Sequence, residues 1–226
     1  MKKLIYVCAV LIAVMFLVPF RSASASEDIT VESSSSKSIW GSSSAWKSIQ
    51  NTLDSLGYSS INAKTDYTTN MYWNLSGGTD FSIISENADY ANYNEMGYYQ
   101  ANSYGKVTTT ELFSGLDTAG ASTEVTINGN FGLYLNDINN QNWYTNSYLN
   151  SNSWAGPQVI VYTLEDGKSW LVCFEDTNIL SSDKDYNDLI VNVKAAPEPV
   201  SAALFIAGGG LLAALRRKNN KKGIIS

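Results

Sequence analysis

The stretch "QVIVYTLEDGKSWLVCFE", residues 158–175, decides the fold class of this chain. Its two apolar runs, residues 158–164 and 169–174, are short and rich in β-branched and aromatic side chains, which is typical of strands. The segment "EDGK", residues 165–168, predicts a tight hairpin turn between them. Both runs are apolar at consecutive positions, so we expect central strands that are covered on both faces.

Further short segments of the same character lie elsewhere in the chain. They are bounded by Gly, Asn, Asp and Ser, as strands of a β-domain are. These segments are "TTNMYWNLSGG" (68–78), "TDFSIISENA" (79–88), "EVTIN" (124–128), "FGLYLN" (131–136) and "DLIVNV" (188–193). In "FGLYLN", Phe131, Leu133 and Leu135 share one face, which predicts a half-buried strand. Together they predict a mainly β domain, an antiparallel β-sandwich or jelly-roll-like fold, over residues 45–195.

One short N-terminal helix is expected in "SAWKSIQNTLDSLG", residues 44–57. Its apolar residues recur at helical spacing, with Ser44 available as the N-cap and Gly57 as the residue that ends the helix. The apolar stripe consists of Trp46, Ile49, Leu53 and Leu56. Such a stripe predicts contact with the core, with a partner surface as the alternative.

The amino-terminal segment, residues 1–25, has the pattern of a secretory signal peptide. Lys2 and Lys3 precede an apolar run, residues 4–20, and the small residues at 23–25 follow it. This order predicts cleavage after Ala25 by signal peptidase, with an uncleaved signal anchor as the alternative. The Ser-rich residues 26–44 are expected to form a loose lead-in.

The carboxyl-terminal segment, residues 196–226, combines a short apolar run with a basic end. The apolar run has 16 residues, Val200–Leu215, and the basic residues lie within 216–222. As a helix it would span about 24 Å, less than the ~30 Å of a hydrocarbon core. The basic end is expected to stay in the cytoplasm while the body is exported, which predicts a temporary inner-membrane anchor. The alternative is a plain single-pass anchor.

Directly before this run stands Pro197-Glu198-Pro199, an extended and accessible strip. Pro-Glu-Pro, a short apolar helix and a basic end together resemble the PEP-CTERM sorting signal. The resemblance implies recognition by an exosortase, a membrane protease-transpeptidase, in a cell that makes extracellular polysaccharide. The expected destination is therefore the cell surface or the extracellular space.

Charge and composition exclude several classes of function. Of 15 basic residues three lie in 1–25 and five in 196–226, and of 21 acidic residues one lies in 196–226. The remaining body carries seven basic and 20 acidic residues, a net charge of −13, which disfavours nucleic-acid binding and favours cations. With no histidine in the chain, Ser-His-Asp triads and HExxH zinc sites are excluded. Cys173 lies in an apolar run and is expected to be a buried small hydrophobic residue.

The candidate chemistry is concentrated in "CFEDTNILSSDKDYNDLIVNV", residues 173–193. Oxygen-bearing side chains recur there at every second position, as at the start of a calcium-binding loop. Ca²⁺ takes six to eight oxygen ligands in flexible geometry, so we predict calcium as the cofactor. The candidate ligands are Glu175, Asp176, Asp183, Asp185, Asn187 and Asp188. The alternatives are a solvated acidic turn without an ion and a catalytic pair of carboxylates.

The same segment resembles the closing motif of the bacterial domain of unknown function 4114 family, "F-E-D … D-x-D-[YF]-N-D". "ISENADYANYNEMGYY", residues 84–99, is similar to an upstream segment of that family, and the resemblance extends over about residues 45–195. The resemblance implies that the six acidic and amide residues named above correspond to the acidic positions of the family. It implies no reaction. The segment "TNILSS", residues 177–182, departs from the family pattern because it lacks the usual glycines.

Three functions remain in competition on these observations. The leading hypothesis is an exported, non-enzymatic surface or extracellular-matrix protein that calcium stabilises. The second is a carbohydrate-binding module, in which aromatic rings stack on sugars. Its candidate sugar contacts are Trp143, Tyr144, Tyr148 and Trp154. The third is a glycoside hydrolase that would use two carboxylates from Glu86, Glu175 and Asp176.

Overall fold

The computed structural model describes residues 24–27, 39–75, 77–102, 105–164 and 167–196. Pro197, Glu198 and Pro199, the apolar run that follows them and most of the amino-terminal signal lie outside the described residues. Ala25 is described as part of a strand that pairs with residues 71–74, so this strand crosses the predicted cleavage position. Within the described residues, no helix is long and apolar enough to cross a membrane.

The described secondary structure is mainly antiparallel β, with one α-helix, as the sequence predicts. The jelly-roll assignment stays a prediction. The elements are β1 (Ser24–Glu27), α1 (Lys47–Ser55), β2 (Met71–Asn74), β3 (Gly78–Glu86), β4 (Glu95–Ala101), β5 (Val107–Phe113), β6 (Ser122–Thr126), β7 (Gly132–Asn136), β8 (Asn142–Tyr144), β9 (Val159–Thr163), β10 (Ser169–Phe174) and β11 (Leu189–Ala195). Short 3₁₀ helices span Ala91–Tyr93, Ser147–Leu149 and Ser153–Ala155.

Two larger sheets organise the molecule. One has the strand order β6-β3-β11-β10-β9 and the other β5-β4-β7-β8, while β1 and β2 form a two-stranded sheet. The main core lies between the two larger sheets, and Phe81, Val172 and Val191 meet Leu133 and Leu135 there. Burial of this apolar surface is the main force that holds the sheets together.

The second core lies on the opposite face of the five-stranded sheet. Ile49 and Leu53 of α1 pack there against Ile160, Leu171 and Cys173. Strand β10 is therefore buried on both faces, which confirms the prediction from its continuous apolar run. Strand β9 is also covered on both faces, but the prediction that it is central is wrong, because it is the edge strand of the five-stranded sheet. Cys173 is fully buried, and burial raises the pKa of its thiol, so it behaves as a small hydrophobic residue.

The hairpin predicted at "EDGK" is confirmed by the hydrogen bond from the N–H of Leu164 to the carbonyl of Ser169 and by the antiparallel pairing of β9 with β10. The predicted helix starts later than expected. The residue before its first turn is Trp46, not Ser44, and its side chain makes no capping bond. Gly57, with φ of 90°, follows the last turn and donates its N–H to the carbonyl of Asp54.

Strand β7 differs from the expected half-buried strand. Phe131, Leu133 and Leu135 do share the core face, as predicted. Its other face is covered as well, because Tyr134 is only 5% exposed. The ring of Tyr99 fills the space where Gly132 has no Cβ, and it lies within 2.4 Å of the position a Cβ would take. Alternation in the sequence did not reveal this aromatic cover.

Candidate metal centre

The site begins where β10 ends. Phe174 points into the core between the sheets, whereas Cys173 points towards helix α1. Because successive side chains of an extended chain alternate between faces, Glu175 continues on the helix side and Asp176 on the other side. The contacts described below agree with this placement, so two neighbouring acids of the sequence take part in two different groups.

The Glu175 group consists of Glu175, Asp183 and Asp185. One carboxylate oxygen of each lies within 4.8 Å of the others. In a calcium site the metal–oxygen distances are about 2.3–2.6 Å, so two ligand oxygens are at most about 5 Å apart. Glu175 is fully buried, Asp185 is half-buried and Asp183 is exposed. The spacing and the oxygen chemistry of the group therefore fit a calcium ion.

Glu175 has one engaged and one unengaged oxygen. Its Oε1 accepts the backbone N–H of Tyr186, whereas Oε2 is buried and has no hydrogen-bond partner. The Ser182 hydroxyl is near enough to lower the pKa of the carboxyl group, but its geometry is not that of a formed hydrogen bond to Oε2. A buried carboxylate oxygen without a partner is rare, because it loses hydration without replacement. A bound cation would supply the missing partner.

Electrostatics in the group are unfavourable as long as no cation is bound. Burial raises the pKa of Glu175 to about 7, against the lowering effect of the Tyr186 N–H and the Ser182 hydroxyl, and the charges of Asp183 and Asp185 add to the rise. Burial also raises the pKa of Asp185, with Asp183 as the second cause. A bound divalent cation would lower the pKa values of Glu175 and Asp185 again, because it stabilises ionised carboxylates.

The loop that carries Asp183 and Asp185 has an unusual backbone. Lys184 and Tyr186 have φ angles of 58° and 54°, a left-handed conformation that is uncommon for residues other than glycine. Asn187 donates both its backbone N–H and its side-chain amide to the carboxylate of Asp185. The loop thus has its left-handed turns at a lysine and a tyrosine, and Asn187 fixes the orientation of Asp185.

Two aromatic residues anchor this loop. Tyr186 is fully buried and donates its hydroxyl hydrogen to the carbonyl of Pro157 at 2.9 Å. Trp40 packs edge-on against the ring of Tyr186, with the ring centroids 5.5 Å apart. Next to it, Gly41 donates its N–H to the carbonyl of Lys184, so residues of the Ser-rich lead-in contact the loop directly.

The Asp176 group lies on the other face of the sheet and consists of Asp176, Asp188, Asn94, Glu86 and Asp117. Asp188 accepts the backbone N–H of Asp176 at 2.9 Å, and Asn94 donates its amide to Asp176 at 3.3 Å. Burial raises the pKa of Asp188 well above its usual range, and the charges of Glu175 and Asp176 contribute. Burial, Asp117 and Asp176 raise the pKa of Glu86 to about 7.

The six predicted ligands therefore do not converge on one point. The structure brings Glu175, Asp183 and Asp185 together, and it assigns Asp176 and Asp188 to the other group. Asn187 acts as a hydrogen-bond donor to Asp185. The alternation of side chains along β10, continued past its end, is the signal that separates Glu175 from Asp176.

Comparison with family models gives a match to the family described as Domain of unknown function (DUF4114). Residues 118–196 match it. This finding supports the domain family, and the matched part contains both acidic groups except Glu86, Asn94 and Asp117. The upstream segment 84–99 lies outside the DUF4114 match, so its resemblance stays a prediction. Comparisons with curated proteins and with solved structures give no match.

Within the DUF4114 segment, Gln158 has a role that the sequence did not indicate. Its side-chain amide donates to the carbonyls of Glu175 and Thr177, and its Oε1 accepts the N–H of Ile179 at 3.0 Å. The side chain is 2% exposed. These hydrogen bonds fix the course of the backbone after β10, in the segment between Glu175 and Asp183. A polar residue at the start of an apolar run was the available signal.

The aromatic residues predicted to contact sugars have different environments. Trp143 is 2% exposed and donates its indole N–H to Asp137, so it belongs to the core. Tyr144 packs edge-on against Tyr99, with ring centroids 5.0 Å apart. Tyr148 and Trp154 are 62% and 77% exposed. The four rings therefore do not form one exposed face.

Proposed function

We propose that this chain is an exported, non-catalytic surface or matrix protein whose β-domain is stabilised by a calcium ion in the Glu175 group. The carrying observation is the fully buried Glu175 with an Oε2 that has no partner. The positions of Asp183 and Asp185 within 4.8 Å support the same reading. The terminal segments support delivery through the signal peptidase and exosortase routes, with extracellular polysaccharide as the expected surroundings.

A stabilising role follows from the position of the ion. The Glu175 group ties the end of β10 to the loop before β11, and unfolding would disperse its three carboxylates. A ligand that binds only the folded state stabilises it by about 2.7 kcal/mol at 100 times its dissociation constant. For a domain of this size, such a gain corresponds to a rise in Tm of several degrees.

The test is a thermal melt of the full chain with calcium, with magnesium and with excess chelator. We expect calcium to raise the Tm by several degrees and magnesium to have a smaller effect, because it needs a strict octahedral geometry. Asp185→Ala should abolish the rise. Asp89→Ala removes the same charge from an exposed position outside both groups and should retain it. Identical melts in calcium and chelator would overturn the proposal.

Carbohydrate binding through exposed aromatic residues is the second candidate. The observation that favours it is the exposure of Tyr148 and Trp154 on neighbouring 3₁₀ helices. Trp154→Ala should then abolish retention on polysaccharide without changing the Tm. Of the three carboxylates named for the glycoside hydrolase alternative, Glu175 lies in a different group from Asp176, whereas Glu86 and Asp176 belong to the same group.

A further inference from the structure

A polar groove of about 990 Å³ opens beside the Glu175 group. It runs between the first turn of α1 and the loop before β11, and its walls include Ser44, Lys47 and Asn51 on one side. Asp183 and Asp185 line the other side, so the groove and the candidate ion site share two carboxylates. Nothing in the proposed stabilising role requires an open groove at this place.

An ion in the Glu175 group would retain open coordination positions. Each of the three carboxylates offers one suitably placed oxygen, whereas Ca²⁺ takes six to eight. Glu175 is fully buried beneath the site, and Asp183 and Asp185 form part of the groove wall. The remaining positions therefore face the groove, where oxygen atoms of water or of a ligand can fill them.

The groove also offers exposed hydrogen-bonding groups. Ser44 and Asn51 are exposed and supply donors and acceptors along the wall on the side of α1. This combination suits a ligand that is rich in hydroxyl groups.

Among such ligands, the charges along the groove favour an anion. Two cationic side chains, Lys47 and Lys184, line the groove together with Asp183 and Asp185. With Glu175 and a divalent ion included, these groups sum to a net charge of +1, although the body of the chain carries −13. The ion therefore turns this part of an acidic protein into a local site for an anion.

We propose that the groove binds uronate units of an acidic polysaccharide, with calcium bridging the sugar oxygens to Glu175, Asp183 and Asp185. Lys47 contacts the sugar carboxylate in this arrangement, and the side chains of Ser44 and Asn51 contact the hydroxyl groups. The inference rests on the calcium site of the proposed function. It adds a ligand class and a location that differ from the exposed rings of Tyr148 and Trp154.

The experiment has two readouts on the full chain. Calorimetry measures calcium affinity, and saturation-transfer NMR measures binding of the methyl glycosides of glucuronate, galacturonate and mannuronate, each with its neutral counterpart. We expect at least one uronate to bind with calcium and not with chelator, and more tightly than the neutral sugar of the same configuration.

Variants separate this proposal from the calcium site itself. Lys47→Ala should weaken uronate binding by about tenfold, the equivalent of one lost charge-assisted hydrogen bond, and leave calcium affinity unchanged. Lys64→Ala, an exposed lysine outside the groove, is the matched control and should change neither. Calcium binding without binding of any uronate would overturn the groove proposal alone. If the wild type does not bind calcium at all, the proposed function is overturned as well.

Discussion

The Glu175 group and the Asp176 group start from adjacent residues but satisfy their charges in different ways. In the Asp176 group, backbone and amide N–H groups from Asp176 and Asn94 donate to the carboxylates. In the Glu175 group, a fully buried carboxylate keeps an oxygen without any partner. The difference indicates that the density of acids in a sequence does not identify an ion site. The decisive feature is a carboxylate oxygen without a partner, since the unpartnered buried oxygen of the Asp176 group is the neutral amide Oδ1 of Asn94.

The largest expected effect is the pH dependence of the free energy of unfolding in excess chelator. The pKa of Glu175 is raised from 4.5 to about 7, so the folded state holds a proton that the unfolded state has released. The contribution of Glu175 to the free energy of unfolding is therefore fully present below about pH 4.5 and is lost as the pH rises through about 7. The loss is at most about 3 kcal/mol, at about 1.4 kcal/mol per pH unit.

Urea unfolding at pH 5 and pH 8 checks this expectation. We expect the chelated protein to be less stable at pH 8, and saturating calcium to remove the part that belongs to Glu175. The pH dependence of stability that persists in calcium is due to Asp188 and Glu86, whose pKa values are also raised. An unchanged pH profile in Glu175→Gln would show that the Glu175 group does not carry the effect.

The second prediction concerns Glu175→Gln in the thermal melt. The amide keeps the size of the side chain but removes the charge, so the calcium-dependent stabilisation of about 2.7 kcal/mol at 100 times the dissociation constant should disappear. In chelator the variant should melt at a temperature equal to or above that of the wild type, because a buried charge has been removed. Asp89→Asn is the charge-matched control, and its calcium response should equal that of the wild type.

The third prediction tests the contact between the lead-in and the loop. An added Cβ at Gly41 would lie 1.7 Å from the carbonyl oxygen of Asp183, so Gly41→Ala must displace the loop. We expect a loss of about 2 kcal/mol of stability and weaker calcium binding, as for an overpacked contact. Ser43→Ala, two residues further on, should be neutral. Wild-type calcium affinity in Gly41→Ala would contradict the role assigned to this contact.

The smallest expected effect separates the Asp176 group from ion binding. Asp188→Asn keeps an oxygen that can accept the N–H of Asp176, whereas Asp188→Ala leaves that N–H unsatisfied. The alanine variant should be less stable than the asparagine variant by about 1 kcal/mol. Both should bind calcium at the Glu175 group. A complete loss of calcium binding in Asp188→Asn would instead make Asp188 a ligand.

Much of the fold was predictable because it depends on local patterns. The continuous apolar run of β10 predicted a strand covered on both faces, and the turn residues before it predicted the hairpin. The N-terminal cap of α1 was not predictable in the same way, since several serines precede the helix and the residue at its start is Trp46, which makes no side-chain capping bond.

The candidate site was predictable only in its composition. The spacing of oxygen-bearing residues in 183–188 correctly located an acidic cluster that could hold a cation. The sequence alone did not show that Asp176 joins Asn94, which lies 82 positions earlier in the chain. Nor did it show that Trp40 covers Tyr186, because that contact forms only after residues distant in sequence have been brought together.

By itself the sequence determined the strand and turn pattern, the burial of Cys173 and the location of the acidic segment, all of which follow from side-chain periodicity and composition over a few residues. Tertiary structure alone decided which acids share a face, which carboxylate oxygen stays without a partner and that Trp143 is a core residue. The physical reason is that desolvation and hydrogen bonding depend on groups that only the complete fold brings next to one another.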